Sequence, residues 1–238
     1  FFLGSVLMRS AGCIVNDISD KEFDKKVERT KNRPLASNKV STKLAIFYSI
    51  ILCALAFLVL INFNNLTIIL AVGSMPLAFT YPLMKRFTYW PQLFLGITFN
   101  YGLVLGWTAI QGEINAVTII FYLGAIFWTL GFDTIYGYQD LKDDEIIGVK
   151  STSIKFKKKP KLFLTTCYSI FLISLILVGI FMKLNTMFYF FILIPTAHLL
   201  FYQIYNFNYK DPKNCLKIFK SNNFFGAIIL CNILIGKF

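Results

Sequence analysis

The sequence predicts an all-α fold, a polytopic bundle of transmembrane helices in a single domain spanning residues 1–238. Three observations predict it. Of 238 residues, 56% are hydrophobic and 15% are charged, whereas a soluble domain carries about 25% charged residues, and mean hydropathy is +0.62. Apolar runs close to the roughly 20 residues that a spanning helix needs recur along the chain. Basic residues gather in every second connection between those runs.

The apolar runs cover residues 1–18, 42–63, 65–84, 91–111, 115–138, 162–182, 186–206 and 222–236, so eight helices are expected. The connection after the first run holds eight Lys/Arg, from Lys21 to Lys43. The third-to-fourth connection holds Lys85 and Arg86, the fifth-to-sixth holds seven, from Lys142 to Lys161, and the seventh-to-eighth holds four, from Lys210 to Lys220. Together they carry 21 of the 24 basic residues, while the opposite connections carry only Lys183. The positive-inside rule places the lysine-rich side in the cytoplasm. Short turns at Asn62–Asn65, Gln111–Asn115 and Lys183–Asn185 close the other side, and Pro76, Pro82 and Pro195 are expected to kink the helices they interrupt.

The formal charge of +12 does not indicate nucleic acid, because a nucleic-acid binder presents its basic residues on a folded soluble surface. The five cysteines form no CxxC pair and read as small buried hydrophobes. His198 stands alone in an apolar run and reads as a packing residue. The many aromatic residues leave room for a lipid-tail cavity.

Ten of the twelve acidic residues lie in two stretches, Asp17 to Glu28 and Asp133 to Glu145. In the first, Asn16, Asp20 and Asp24 are four apart and Asp17 is three before Asp20, which puts them along one helix face. In the second, Asp133, Tyr136, Asp140 and Asp144 keep the same rhythm. Stacked like charges repel and call for a cation. Oxygen ligands without nearby His or Cys suit Mg²⁺, which takes one or two carboxylates and completes its shell with water and phosphate. The expected metal ligands are therefore Asn16, Asp17, Asp20, Asp24, Asp140 and Asp144, with two ions sharing one diphosphate. Arg29, Arg33, Lys85, Arg86 and Lys150 follow these clusters or end the third run, and are candidates for the remaining phosphate oxygens. Arg9, inside an apolar run, is expected to face a cavity or a carboxylate.

The stretch Arg9-x-x-Gly12-x-x-x-Asn16-Asp17-x-x-Asp20-x-x-x-Asp24, followed by Arg29-Thr30-x-x-Arg33-Pro34-Leu35, resembles the UbiA superfamily of membrane prenyltransferases. Asp133-Thr134-x-Tyr136, then Asp140-x-x-x-Asp144 and Gly148-x-Lys150-Ser151-Thr152, is similar to that family's second aspartate motif, and Tyr81 to Arg86 to the stretch between. The likeness runs from Arg9 to about Ser153. Within the superfamily the second motif is closest to the branch that prenylates 4-hydroxybenzoate in ubiquinone biosynthesis, with the menaquinone and haem O branches as alternatives.

The resemblance implies nine spanning helices, so one helix is expected to precede Phe1. It implies Mg²⁺-dependent transfer of a polyprenyl group from polyprenyl diphosphate to the acceptor ring. Asp20, Asp24, Asp140, Asp144 and Arg86 would be catalytic, while Arg9, Asn16, Arg29, Arg33, Lys85, Asp133, Tyr136 and Lys150 would hold substrate. The expected setting is the bacterial inner membrane with the site facing the cytoplasm, or alternatively the mitochondrial inner membrane. A cation transporter is the rival class, but transporters place their acids near the bilayer midplane, and these acids lie at helix ends.

Overall fold

The computed structural model describes residues 1–238. Its helices are α1 (Phe2–Asp24), α2 (Thr42–Leu60), α3 (Asn65–Thr80), α4 (Met84–Phe87), α5 (Pro91–Gln111), α6 (Ala116–Gly137), α7 (Leu141–Ile147), α8 (Thr152–Lys155), α9 (Pro160–Phe181), α10 (Thr186–Phe191), α11 (Leu193–Thr196), α12 (Ile204–Asn206), α13 (Pro212–Ser221) and α14 (Phe225–Lys237). Short 3-10 turns at Tyr81–Leu83 and Tyr138–Asp140 join α3 to α4 and α6 to α7, and a π-helical turn, Ala197–Gln203, joins α11 to α12.

Seven helical stretches are long and apolar enough to cross a membrane, and the chain is an integral membrane protein. They match seven of the eight expected spans. The remaining run, 1–18, is helical within α1 but falls outside that set, because Arg9, Asn16 and Asp17 dilute its apolar content. Outward-facing Phe47, Ile50 and Leu58 on α2 and Ile173 and Ile180 on α9 give these helices the greasy exterior that acyl chains require.

Three expected boundaries move. α1 continues through the first acidic stretch to Asp24. The fifth run continues past Gly137 through the 3-10 turn into α7, which ends where Gly148 adopts a left-handed φ of 82° and the Gly148 and Val149 N–H groups donate to Asp144 O at 3.0 and 3.2 Å, a glycine C-cap. Residues 212–221, expected as a connection, form α13, with Pro212 in its first turn and Asp211 accepting from Lys213 N at 2.9 Å. The 186–206 run is not one continuous α-helix: α11, which holds Pro195, gives way at Ala197 to the π turn, since proline supplies no N–H to the helical ladder.

Contacts divide the chain into two compact units, Phe1–Ile114 with Lys142–Lys150, and Asn115–Leu141 with Ser151–Phe238. In the first, α1 packs on α2 and α3 on α5. The turn before α3 is fastened by Asn64, whose Oδ1 accepts from Thr67 N and Thr67 Oγ1, both at 3.0 Å, while its Nδ2 donates to Thr108 O at 2.7 Å. Asn64→Ala removes an N-cap and this tie to α5 together. It is expected to cost about 1–2 kcal/mol, seen as a lower thermal unfolding midpoint.

In the second unit, α6 packs on α9 around buried Leu130, Ile135, Leu164, Tyr168, Phe171 and Leu175. Gly131 leaves no room for a Cβ against the Tyr168 ring, a close approach that small residues allow where membrane helices cross. A buried polar chain runs through this core. Tyr168 OH donates to Gln203 Oε1 at 2.6 Å, and Asn222 Oδ1 accepts from Gln203 Nε2 at 3.0 Å and from Trp128 Nε1 at 3.1 Å. His198 Nε2 lies 3.0 Å from Gln203 Nε2 and 3.3 Å from Ser221 Oγ, so it is a satisfied packing residue, as expected.

Candidate active site

The acidic face of α1 lies in the first unit. Helical spacing carries Asp20 and Asp24 inward, each 7% exposed, with Asn16 and Asp17 half-buried one turn earlier. Buried carboxylates need counter-charge, and two cations provide it. Arg33 Nη1 sits 3.0 Å from Asp17 Oδ1 and 2.9 Å from Asp24 Oδ2, and Lys85 Nζ lies 2.7 Å from Asp20 Oδ1.

The loop that presents Arg33 is itself anchored. Val27, Leu35 and Ala36 are buried, Thr30 Oγ1 donates to Asp24 O at 3.1 Å, and Ser37 Oγ to Arg33 O at 2.8 Å. Arg86 is exposed and donates to Ser19 O at 2.6 Å. Lys85 and Arg86 both lie over the Phe23 ring, 5.1 and 5.2 Å from its centroid, an electrostatically favourable arrangement that orders the pair beside the acids.

Burial pushes the Asp20 carboxyl above the ordinary aspartate range, and the Lys85 ammonium pulls it part of the way back. Asp20 lies beyond the apolar run that ends at Ile18, where a charged form can still be matched by ions from outside.

Lys150 uses its groups on the protein. Its N–H donates to Lys85 O at 2.8 Å and its Nζ to Phe87 O at 3.2 Å, with the ammonium 5.7 Å from the Tyr89 ring. Lys142–Lys150 is thereby tied to α4 and carries half-buried Asp144 into the first unit. Arg29 is exposed on the loop before Arg33. In the second unit, Asp133 and Asp140 are half-buried on α6 and the turn after it, and Tyr136 packs on Phe219 of α13, ring centroids 4.6 Å apart.

Sequence reasoning missed Phe23, Tyr89 and the Ser19 carbonyl. A ring beneath two cations carries no signal in a chain with 26 phenylalanines, and a main-chain acceptor carries none at all.

A cavity of about 520 Å³ opens in the first unit among α1, α2, α3 and α5, walled by Met8, Phe57, Leu60, Met75, Phe99 and Leu105. Its polar members include Arg9, Ser74, Tyr81, Thr98 and Tyr101, and the Arg9 guanidinium lies 5.7 Å from the Phe99 ring centroid. Gly12, also on its wall, is one helical turn before Asn16, so α1 runs from the apolar wall into the acidic face.

The donor set suits Mg²⁺, since α1 from Asn16 to Asp24 offers carboxylate and amide oxygens without sulfur or imidazole. No three Asp, Glu, His or Cys side chains gather around one point. The carboxylates bind Arg33 and Lys85 instead, and an ion held by one or two of them needs no larger cluster.

Residues 1–229 match the UbiA prenyltransferase family. The chain belongs to that family. Among its relatives, the mitochondrial 4-hydroxybenzoate polyprenyltransferase of Drosophila pseudoobscura pseudoobscura is 43% identical over 99% of this chain and 59% of its own length. 4-Hydroxybenzoate geranyltransferase 2 of Lithospermum erythrorhizon is 42% identical over 98% of this chain and 76% of its own length. The mitochondrial 4-hydroxybenzoate polyprenyltransferase of Homo sapiens is 42% identical over 100% of this chain and 64% of its own length. The chain thus spans about three fifths of the length of several relatives.

The fold is that of solved UbiA homologs. One from Aeropyrum pernix K1 superposes with a TM-score of 0.81 at 21% identity, covering 99% of this chain and 90% of that one. Another, from Archaeoglobus fulgidus and bound to GPP and Mg²⁺, gives 0.70 at 18% identity, covering 99% and 87%.

Proposed function

We propose that this protein transfers a polyprenyl group from polyprenyl diphosphate to the ring of 4-hydroxybenzoate, ortho to the hydroxyl, in ubiquinone biosynthesis. The observation that carries this reading is the buried acidic face of α1, paired with Arg33 and Lys85 and leading along the same helix into an apolar cavity. The names of the relatives from Drosophila and Lithospermum support the acceptor.

Asn16, Asp17, Asp20 and Asp24 are proposed to hold Mg²⁺, with Asp140 and Asp144 as metal ligands of the second acidic stretch. Bound Mg²⁺ would draw electron density from the diphosphate leaving group. Arg33 and Lys85 turn from carboxylate oxygens, and Arg86 from the Ser19 carbonyl, to phosphate oxygens as the substrate's negative charge arrives, with Arg29 of the loop before Arg33 adding to them. The allylic C–O bond then breaks, its electron pair leaves with the diphosphate, and these cations stabilise that charge. Met8, Phe57 and Phe99 keep water from the allylic cation. A ring carbon of the electron-rich phenol forms the new C–C bond, and loss of the ring proton restores aromaticity.

Arg9 is proposed to pair with the acceptor carboxylate or with Asp17, and Asp133 and Tyr136 to orient the phenol. Lys150 acts on this reading mainly by holding the Lys85–Phe87 backbone. The lysine-rich side is assigned to the cytoplasmic face of a bacterial inner membrane, with the mitochondrial names of the Drosophila and human relatives favouring the inner mitochondrial membrane as the other setting.

The test is an acceptor panel. Purified full-length protein receives one prenyl diphosphate with 4-hydroxybenzoate, 1,4-dihydroxy-2-naphthoate or haem b. The expected result is prenylated 4-hydroxybenzoate with one diphosphate released per product, lost on chelation of Mg²⁺. Preference for either other acceptor would overturn the acceptor assignment.

A further inference from the structure

Residues 151–238 contain eleven lysines, no arginine and one acidic residue, Asp211. Nine of those lysines fall in two short stretches, five from Lys155 to Lys161 and four from Lys210 to Lys220, and all nine are exposed.

Contacts inside the second unit draw the two stretches to one end of it. Lys161 Nζ donates to Tyr205 O at 3.2 Å, joining the start of α9 to α12. Asn214 Nδ2 donates to Asn206 O at 3.0 Å, joining α13 to the same place. Phe156 stacks on Phe163 with centroids 3.9 Å apart and planes 9° from parallel, which folds the first lysine stretch back over the opening turn of α9. α13 is two-sided, with Lys213, Lys217 and Lys220 exposed and Cys215 and Ile218 buried. Spacings of four and three residues keep those lysines on one face.

The first unit treats its cations differently. Lys25 pairs with Glu22, Lys31 with Glu28 and Lys85 with Asp20, each at 2.7 Å. Residues 151–238 of the second unit have a comparable density of positive charge and only Asp211 to balance it, the unit's other acids, Asp133 and Asp140, lying on α6 and the turn after it.

We infer that this lysine face binds the phosphates of anionic membrane phospholipids. Its place at the ends of apolar helices sets the ammonium groups at headgroup depth, where long side chains reach outward while their stems stay against apolar surface. Lysine ammoniums are mobile point charges, suited to a layer of phosphodiesters rather than to one rigid ligand. Flat aromatic groups at the same level, Phe156 with Phe163 and Tyr209 beneath Lys210 at 6.0 Å, suit the interface between tails and heads.

The experiment titrates the delipidated protein in detergent with short-chain phosphatidylglycerol or phosphatidylcholine and counts bound lipid by native mass spectrometry. Phosphatidylglycerol is expected to bind at least about tenfold more tightly, with the difference shrinking as salt shortens the screening length. Combining Lys158→Gln, Lys159→Gln, Lys213→Gln and Lys217→Gln is expected to remove most of that preference, at up to roughly fivefold per lysine, and the four arginine replacements to retain it. The pair Lys213→Gln and Lys217→Gln gives the same reading at half the change should the fourfold variant not fold, which thermal unfolding in phosphatidylcholine shows. Equal binding of both lipids overturns the inference, as does an equal loss in a Lys25→Gln/Lys31→Gln control. Emptying of the face by inorganic phosphate at matched concentration points to a soluble anion and overturns it too.

Discussion

Asp20→Ala is expected to lower kcat/KM for prenyl transfer by about a thousandfold, a loss of about 4 kcal/mol of transition-state stabilisation. Asp20 is 7% exposed and holds Lys85 at 2.7 Å, so its removal takes away a metal ligand and frees a cation that was aimed by it. Asp20→Asn separates these roles from folding. Burial raises the folded-state pKa of Asp20 above its ordinary value. A group raised in this way stabilises the fold fully below the ordinary aspartate pKa and loses that contribution as pH rises through the folded value. Where it is ionised, the carboxylate therefore works against the empty site, and the neutral amide does not. Asp20→Asn is expected to keep or raise the thermal midpoint at pH 7 while losing turnover, a trade common at functional sites. Full turnover in either variant would falsify the metal assignment, and a collapsed midpoint in Asp20→Asn would make Asp20 structural.

Gly131→Val is expected to destabilise the second unit by about 3 kcal/mol, the upper part of the range for overfilling a packed interior. A β-carbon at 131 meets the ring of Tyr168, and Tyr168 cannot swing aside cheaply. It is fully buried, and its hydroxyl is held by Gln203, which is itself tied to Asn222. Gly73→Ala makes the contrast, since nothing lies within 4 Å of a Cβ there and alanine favours helix by up to about 1 kcal/mol. Unfolding midpoints should fall sharply for the first and hold or rise for the second. A Gly131→Val protein as stable as the parent would mean that α6 and α9 separate more easily than their packing shows.

Much of this architecture is legible in the residues. Apolar length marks the spans, because lipid tolerates little else, and three-or-four spacing marks the acidic face of α1. Arg33 could be suspected from its nearness in sequence to Asp24. Lys85 could be suspected as a site residue, but its pairing with Asp20 spans 65 positions and leaves no trace in either local pattern. α13 was hidden because its lysines imitate an ordinary charged connection, and its buried side consists of a few residues such as Cys215 and Ile218. Lys150 looked like a phosphate ligand for its charge and position, whereas its ammonium is directed to the Phe87 carbonyl, an acceptor every residue carries.

The nine residues Lys142–Lys150 belong to the first unit although the chain has already entered the second at Asn115. The polypeptide therefore passes between units three times, and neither unit is the product of one uninterrupted stretch. Asp144 reaches the first unit only by this return visit. No single cut can divide the protein into two self-sufficient halves, and a fragment ending at Ile114 would keep the pairs of Asp17, Asp20 and Asp24 with Arg33 and Lys85 yet lose the strap that fastens α4.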